Sequence, residues 1–159
     1  MIDSPDEANR YSLKLLGYRG RRESELRKRL DKKGFSEAVV SLTVAYLKKI
    51  GYLDDAVLAA NLKRQAMENK LLGLEGARSF MVRRGLPCEI IESALNYEYD
   101  EDRELKNIQK LLDKRLKSVR NYLTEGEKRK LWNFLVRRGY SFETIRKAMK
   151  EVKLGEETE

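Results

Sequence analysis

The sequence predicts an all-α protein made of three tandem three-helix repeats that form an elongated, curved array. Its 159 residues contain only two prolines and many Leu, Lys, Glu and Arg residues, which favour helices over strands. One motif recurs at residues 30–36, 81–87 and 135–141: an apolar residue, any residue, two cations, a glycine, an apolar residue, and Ser or Pro. A motif repeated about every 50 residues is typical of a repeat architecture.

The glycine of each motif, Gly34, Gly85 or Gly139, is expected to join two helices. Apolar residues four and eight positions before each glycine share one helical face, and those six and ten positions after it share another. Cations in a last helical turn also suit the negative end of the helix dipole, so the motif has a structural explanation beside any functional one.

These helix joints set the predicted domain organisation. We expect one three-helix repeat at residues 1–53, a second at 54–99 and a third at 100–154. The acidic residues 155–159 should be a disordered tail.

In the first repeat, capping signals mark where each helix begins. Ser4 stands three residues before Glu7 in a capping-box arrangement, so a helix should run from there to about residue 16, where Gly17 should end it in a left-handed turn. A second helix is expected at residues 23–33. Ser36 should cap a third helix whose inward face ends with Ile50.

A compact link should then connect the first repeat to the second. Gly51 is expected to end the third helix, while Tyr52 and Leu53 fill the joint. Asp54 and Asp55 have the residue type of metal ligands, but an N-cap followed by a first-turn acid explains both, and we favour that interpretation.

The second and third repeats follow the same plan. Helices are expected at residues 55–70, 76–84 and 87–97, and then from Asp100, from the capping box at Thr124 and from Ser141. Side chains spaced by three or four residues should face the core of the long helix after Asp100: Leu105, Ile108, Leu112, Leu116 and Val119. The aromatic residues Trp132, Phe134 and Tyr140 should also be core residues rather than base-stacking groups.

The net charge of +8 is concentrated in two zones. Residues 10–33 hold ten Lys or Arg against three Asp or Glu, and residues 101–138 hold twelve against six. Such zones suit a polyanion because cations gain affinity by releasing counterions from phosphate chains, although solvated helix faces explain the same charges. The candidate partner-binding residues are cations of these zones and of the motif, with one further arginine: Arg19, Arg21, Arg22, Arg27, Lys28, Lys32, Lys33, Arg64, Arg83, Arg84, Lys128, Arg129, Lys130, Arg137 and Arg138.

Composition argues against catalysis. The chain has no histidine and one cysteine, which removes the usual zinc ligands, the usual general base and most nucleophile–base pairs. We therefore expect no catalytic, cofactor or metal site. There is no apolar run near the roughly 18 residues of a membrane helix and no secretion signal, so we expect a cytosolic protein. We also expect a monomer.

Several stretches together resemble the RecX family, regulators of the RecA recombinase. They are Tyr18-Arg19, the Glu-Leu-Arg-Lys-Arg-Leu run at 25–30, the Lys33-Gly34-Phe35 turn and the Gly-Tyr-Leu-Asp-Asp link at 51–55. The likeness extends from about residue 8 to residue 152, and Arg64 falls where relatives have an arginine. Arg22 departs from the family, which usually has Ser or Thr there, so the start of the second helix should be looser.

The resemblance implies a non-catalytic protein that binds RecA and its filaments on single-stranded DNA. Family members generally inhibit recombinase, ATPase and strand-exchange activity by lodging in the filament groove, which gives them a role in homologous recombination, DNA repair and the SOS response. Weak, sequence-independent DNA binding is also implied for some.

Two other functions fit the residues. A basic helical protein could read duplex DNA with a helix-turn-helix, which should give a preference for particular sequences. A purely protein-directed scaffold should show no affinity for DNA even at low salt.

Overall fold

Helices account for nearly all regular structure in the residues that a computed structural model describes, namely 1–96, 100–117 and 123–152. The predicted all-α class is confirmed, and Ile2 and Phe35 form an isolated β-bridge. The helices are α1 Pro5–Tyr18, α2 Glu23–Lys33, α3 Glu37–Lys49, α4 Asp55–Arg64, α5 Leu74–Arg83, α6 Cys88–Leu95, α7 Glu101–Leu116, α8 Glu125–Arg137 and α9 Phe142–Met149. The predicted tail and Val119 lie outside the described residues.

The chain divides into two compact units, Met1–Asn61 and Leu62–Glu159, called unit 1 and unit 2 below. The boundaries of three separate repeats therefore remain a prediction. In unit 1, α3 packs against both α1 and α2. The buried apolar side chains that hold these helices together are Ala8, Leu26, Leu30, Phe35, Val39, Val40, Val44, Leu47 and Leu53.

The predicted caps are present. The side chains of Ser4, Ser36 and Ser141 accept hydrogen bonds from backbone N–H groups three residues on. Thr124 forms a complete capping box, in which its hydroxyl binds the backbone N–H of Glu127 and the Glu127 carboxylate binds the backbone N–H of Thr124. Such caps are local, which is why the sequence predicts them.

The prediction that Gly17 ends α1 in a left-handed turn is wrong. The helix continues through Gly17 to Tyr18, and the glycines with positive φ are Gly34, Gly51, Gly85 and Gly139. At this helix end the Nε of Arg21 donates a hydrogen bond to the carbonyl of Leu15, with 3.4 Å between the two atoms. A side chain from the link between α1 and α2 thus binds a carbonyl that a glycine turn would otherwise have satisfied.

The link after α3 is only partly as predicted. Leu53 is buried, but Tyr52 is 61% exposed and Ile50 is 42% exposed, so the expectation that both face inward is wrong. The backbone N–H groups of Tyr52 and Leu53 both bind the carbonyl of Leu47, which turns the chain early and places Leu53 alone in the core. The side chain of Asp54 caps α4 by accepting hydrogen bonds from the backbone N–H groups of Ala56 and Val57.

Asp55 has a role that the sequence did not reveal. Arg22 occupies the N-cap of α2 without a side-chain capping bond, and the carboxylate of Asp55 instead accepts from the backbone N–H of Glu23 at 3.3 Å. An acid 32 residues away thus takes the place of the capping Ser or Thr. The expected loosening at Arg22 is offset by this contact.

Unit 2 has a core of its own. Its buried cluster joins α7, α8 and α9 to the segment after α4, and its members are Leu71, Ile108, Leu111, Leu112, Leu123, Leu131, Leu135, Tyr140, Ile145 and Met149. Trp132 and Phe134 are half-buried against this cluster, as expected. The inward face of α7 also includes two polar residues, Glu104 and Asn107, whereas Leu105 is only half-buried.

The long helix predicted at 55–70 is interrupted. After α4, residues Gln65–Asn69 form a π-helical turn, and Leu71 then has a left-handed backbone with φ of 51°. A leucine pays a steric cost in this conformation that a glycine does not. The next helix, α5, begins at Leu74, so Gly76 lies inside it and not at its start.

Candidate polyanion-binding surface

The exposed cations of unit 1 lie on the outer faces of α1 and α2. Lys28, Arg29 and Lys32 are exposed on α2, and Leu26 and Leu30 are buried on its inward face. None of the three forms an ion pair with a described residue, and Asp31 is the one acid among the exposed positions of α2. This side of α2 is therefore strongly positive.

Helix α1 extends this positive region. Arg10 and Lys14 are exposed and one helical turn apart, so they share a face. At the end of α2, the Nζ of Lys33 lies 5.6 Å from the ring centre of Tyr11 in α1, a cation–π distance. We call this set of six residues the cationic surface of unit 1: Arg10, Lys14, Lys28, Arg29, Lys32 and Lys33.

Other predicted cations of unit 1 are used within the fold. Arg21 is buried, and its guanidinium binds the Glu25 carboxylate and the Leu15 carbonyl, so it is held within the fold. Arg19 pairs with the same Glu25 at 2.8 Å. Arg27 pairs with Glu23 at 3.1 Å.

Arg22 is half-buried. It donates a hydrogen bond to the hydroxyl of Ser24 at 2.6 Å, while its Nε is buried without a protein partner among the described atoms. Beside it, the ammonium of Lys48 forms a close ion pair with Glu23, and this bond together with Arg27 holds the pKa of the Glu23 carboxyl below its usual value.

In unit 2 the repeated motif is used differently in each copy. Arg83 is exposed at the end of α5, and Arg84 is half-buried with its guanidinium 5.9 Å from the ring centre of Phe80. Arg137 is exposed. Its neighbour Arg138 instead donates hydrogen bonds to the carbonyls of Lys70 and Leu71.

The motif glycine of the third copy makes a backbone joint. The backbone N–H of Gly73 binds the carbonyl of Arg138 at 2.9 Å, and that of Glu75 binds the carbonyl of Gly139 at 3.2 Å. A Cβ atom on Gly76 or Gly139 would collide with the facing backbone. This joint connects the start of α5 to the turn between α8 and α9.

Two further contacts complete the joint. The hydroxyl of Tyr140 donates to the carbonyl of Leu71 at 2.6 Å, so the strained leucine is bound by two residues of the third motif copy. The carboxylate of Glu104 accepts from the backbone N–H of Leu74 at 2.9 Å, and burial raises the pKa of Glu104 above its usual value. Burial likewise raises the pKa of Tyr140, which keeps its hydroxyl a donor.

The remaining candidates are on the surface of unit 2. Arg129 and Lys130 are exposed on α8, Lys128 is half-buried there, and Arg64 is exposed at the end of α4. Among the described residues the structure brings no group of three or more acids, cysteines or histidines together as a metal site. In that same part of the chain no helix has the length and apolar character needed to cross a membrane.

Arg10, Lys14 and Arg29 were not among the predicted binding residues. Arg29 lies in the basic run of α2, and the four-residue spacing of Arg10 and Lys14 could have marked a shared face. Arg19 and Arg27 differ from these three residues because Glu25 and Glu23 of α2 pair with them, and the four-residue spacing of Glu23 and Arg27 could have marked that pair.

These features define a class: a protein of small helical bundles with an exposed cationic surface. Comparison with known proteins identifies the family. Residues 8–47 match the family model described as the first three-helix domain of RecX, and residues 101–149 match its third three-helix domain.

Relatives match across nearly the whole chain. The regulatory protein RecX of Chlorobaculum tepidum is 32% identical over 148 residues, which cover 93% of this chain and 89% of the relative. That of Staphylococcus carnosus is 29% identical over 147 residues, and there the match spans only about half of the relative, 52%. The chain belongs to the RecX family of regulatory proteins, which are not enzymes.

Solved structures agree with the fold. The crystal structure of RecX from Lactobacillus salivarius superposes with a TM-score of 0.75 at 19% identity, covering 93% of this chain and 96% of that one. A second crystal structure of a regulatory protein RecX gives a TM-score of 0.72 at 23% identity, covering 92% of this chain and 72% of that one.

Proposed function

We propose that this protein inhibits the RecA recombinase by binding RecA and its filaments on single-stranded DNA and lodging in the filament groove. Membership of the RecX family supports the choice of partner. The observation on the molecule itself that carries the proposal is the cationic surface of unit 1, which has exposed cations without acidic partners among the described residues. The array of three repeats predicted from the sequence would let one molecule contact neighbouring RecA subunits.

The cationic surface suits a filament because such a target presents phosphate together with protein. Exposed Lys and Arg side chains bind phosphate through counterion release, independently of base sequence. Binding should therefore weaken steeply as salt increases and show little preference among DNA sequences. A strong preference for one duplex sequence would favour a helix-turn-helix reader instead.

The first test is co-sedimentation with RecA on single-stranded DNA in the presence of ATP, with ATP hydrolysis followed in parallel. We expect the protein to sediment with the filament and to lower the rate of hydrolysis. A protein that neither joins the filament nor changes the rate would refute the proposal.

The second test assigns the surface. Reversing Lys28, Arg29 and Lys32 to Glu should weaken inhibition about tenfold or more at low salt, because three phosphate or acidic contacts become repulsive. The matched control reverses Lys106, Lys110 and Lys114, which are exposed on α7 and outside the predicted set. Equal losses in the two variants would show that only net charge matters.

A further inference from the structure

Unit 1 has a second exposed surface, which is apolar. On α3, Leu42 is 62% exposed and Tyr46 is 47% exposed, and Ile50 follows at the same four-residue spacing. These residues therefore share one face of the helix, beside the buried Val39 and Thr43. We call Leu42, Tyr46 and Ile50 the α3 stripe.

Exposed apolar side chains continue beyond the α3 stripe. Tyr52 in the link is 61% exposed, and Val57 in the first turn of α4 is 54% exposed. Five of the ten exposed large hydrophobic side chains among the described residues lie within residues 42–57. Large exposed apolar patches on soluble proteins commonly mark interaction sites.

The charge on this surface restricts what can bind it. Lys49 lies between Tyr46 and Ile50 and is exposed, with no ion-pair partner among the described residues. A phosphate chain needs several cations, and the aliphatic Leu42 and Ile50 offer no ring on which a base could stack. Tyrosine and aliphatic groups around one charge instead match the core of a protein interface.

The area also restricts the partner. The α3 stripe, Tyr52 and Val57 together expose on the order of 500 Å². This area follows from multiplying each exposed fraction by the side-chain area, which is about 150–250 Å² for a large aromatic residue. A stable complex needs about 800 Å² from each partner, so this surface is too small to hold two copies of the chain together alone. It suits a partner that is also held elsewhere.

We propose that the α3 stripe is the protein-docking surface of unit 1 and that it binds a recombinase subunit through an apolar depression with a carboxylate facing Lys49. This inference rests on the proposed function and deepens it. Within one unit, the cationic surface then binds the phosphate chain while the α3 stripe binds protein.

The experiment compares two variants in two assays. Leu42→Glu with Tyr46→Glu should weaken binding to RecA in the absence of DNA about tenfold or more, and should leave binding to single-stranded oligonucleotides unchanged. Reversal of Lys28, Arg29 and Lys32 should reduce oligonucleotide binding and flatten its salt dependence. Lys49→Glu should weaken binding to RecA and leave binding to single-stranded oligonucleotides unchanged.

The matched control is Val82→Glu with Phe142→Glu, which changes two exposed apolar residues of unit 2 by the same charge. Leu42→Ser with Tyr46→Ser provides a milder variant, and circular dichroism checks that each variant is folded. Control and stripe variants that bind RecA equally well would overturn the inference. So would loss of oligonucleotide binding in the stripe variants, or a wild-type dimer that these variants dissociate.

A wild-type protein that does not bind RecA in any form would instead refute the proposed function. The two failures are therefore distinguishable.

Discussion

The first and third copies of the repeated motif have the same sequence pattern and different uses. At Gly34 a Cβ atom would meet no other atom, and the cations before it, Lys32 and Lys33, are exposed. At Gly139 the turn is pressed against the backbone of Gly76, and Arg138 is bound to carbonyls. One motif thus provides surface charge in unit 1 and a structural joint in unit 2.

The comparison shows that the pattern itself specifies only how a helix ends. Both glycines have left-handed φ, 101° and 85°, because each follows the last turn of a helix. What the cations then do depends on what packs against the turn. In unit 1 the turn is met by the short segment at Ile2, whose backbone N–H binds the carbonyl of Gly34 at 2.7 Å.

The largest expected effect comes from adding one methyl group at each turn. Gly139→Ala should destabilise unit 2 by about 3 kcal/mol or more, because a collision with the Gly76 backbone adds to the cost of a left-handed alanine. Gly34→Ala should cost unit 1 only about 1 kcal/mol, the conformational term alone. Urea unfolding of both variants checks the difference, and similar losses would contradict the joint.

A smaller loss of stability is expected from replacing the residue after Gly139 with the type of residue that follows Gly34. Tyr140→Phe removes the hydroxyl that binds the buried carbonyl of Leu71, whereas Phe35 holds the corresponding position in unit 1 without one. We expect a loss of about 1–2 kcal/mol in unfolding free energy. Phe35→Leu serves as a control for packing alone, and an unchanged Tyr140→Phe stability would show that water replaces the hydroxyl.

Replacing Arg138 should cost more stability than replacing Lys33, its counterpart in the first copy of the motif. Arg138→Ala should destabilise unit 2 by about 1 kcal/mol, because the carbonyls of Lys70 and Leu71 lose a charged donor. Lys33→Ala should change stability by about 0.5 kcal/mol or less, since it loses only an exposed cation–π contact with Tyr11. Thermal unfolding of the two variants side by side measures this contrast.

The smallest effect concerns pH and is confined to the joint in unit 2. The pKa of Glu104 is raised in the folded state, so folding favours the protonated carboxyl group. The stability that protonation of Glu104 contributes is therefore present at low pH and is lost as the pH rises through the folded pKa. Glu104→Gln should therefore raise the melting temperature by about 2 °C at pH 7.5 and have little effect below the ordinary glutamate pKa. A difference that does not vary with pH would contradict this account.

Much of the fold could be predicted because its signals are local. The caps at Ser4, Ser36, Thr124 and Ser141 involve residues three apart, and the apolar spacing identifies which helix faces are buried. Expectations that depended on side-chain contacts beyond one helical turn failed. Helix α1 continues through Gly17, and the Arg21 side chain, six residues beyond Leu15, donates to the carbonyl of Leu15.

The candidate site was harder to predict than the fold. Arg21 and Lys28 belong to the same basic run, yet Arg21 is buried against Glu25 and Lys28 is exposed without an ion pair to a described residue. The exposed α3 stripe was also missed, because an apolar residue at helical spacing is normally expected to be buried. Ile50 was assigned to the core for that reason.

The sequence by itself determined an all-helical chain, its caps, its recurring glycine turns and its excess of positive charge, because each depends on residues within about one helical turn or on composition alone. The tertiary structure decided which cations are buried or bound within the fold, as Arg21 and Arg138 are, and which stay exposed. It also decided that the Gly139 turn is pressed against the backbone of Gly76, whereas a Cβ atom on Gly34 would meet no other atom. Backbone contact between distant segments depends on packing, which leaves no mark in the motif itself.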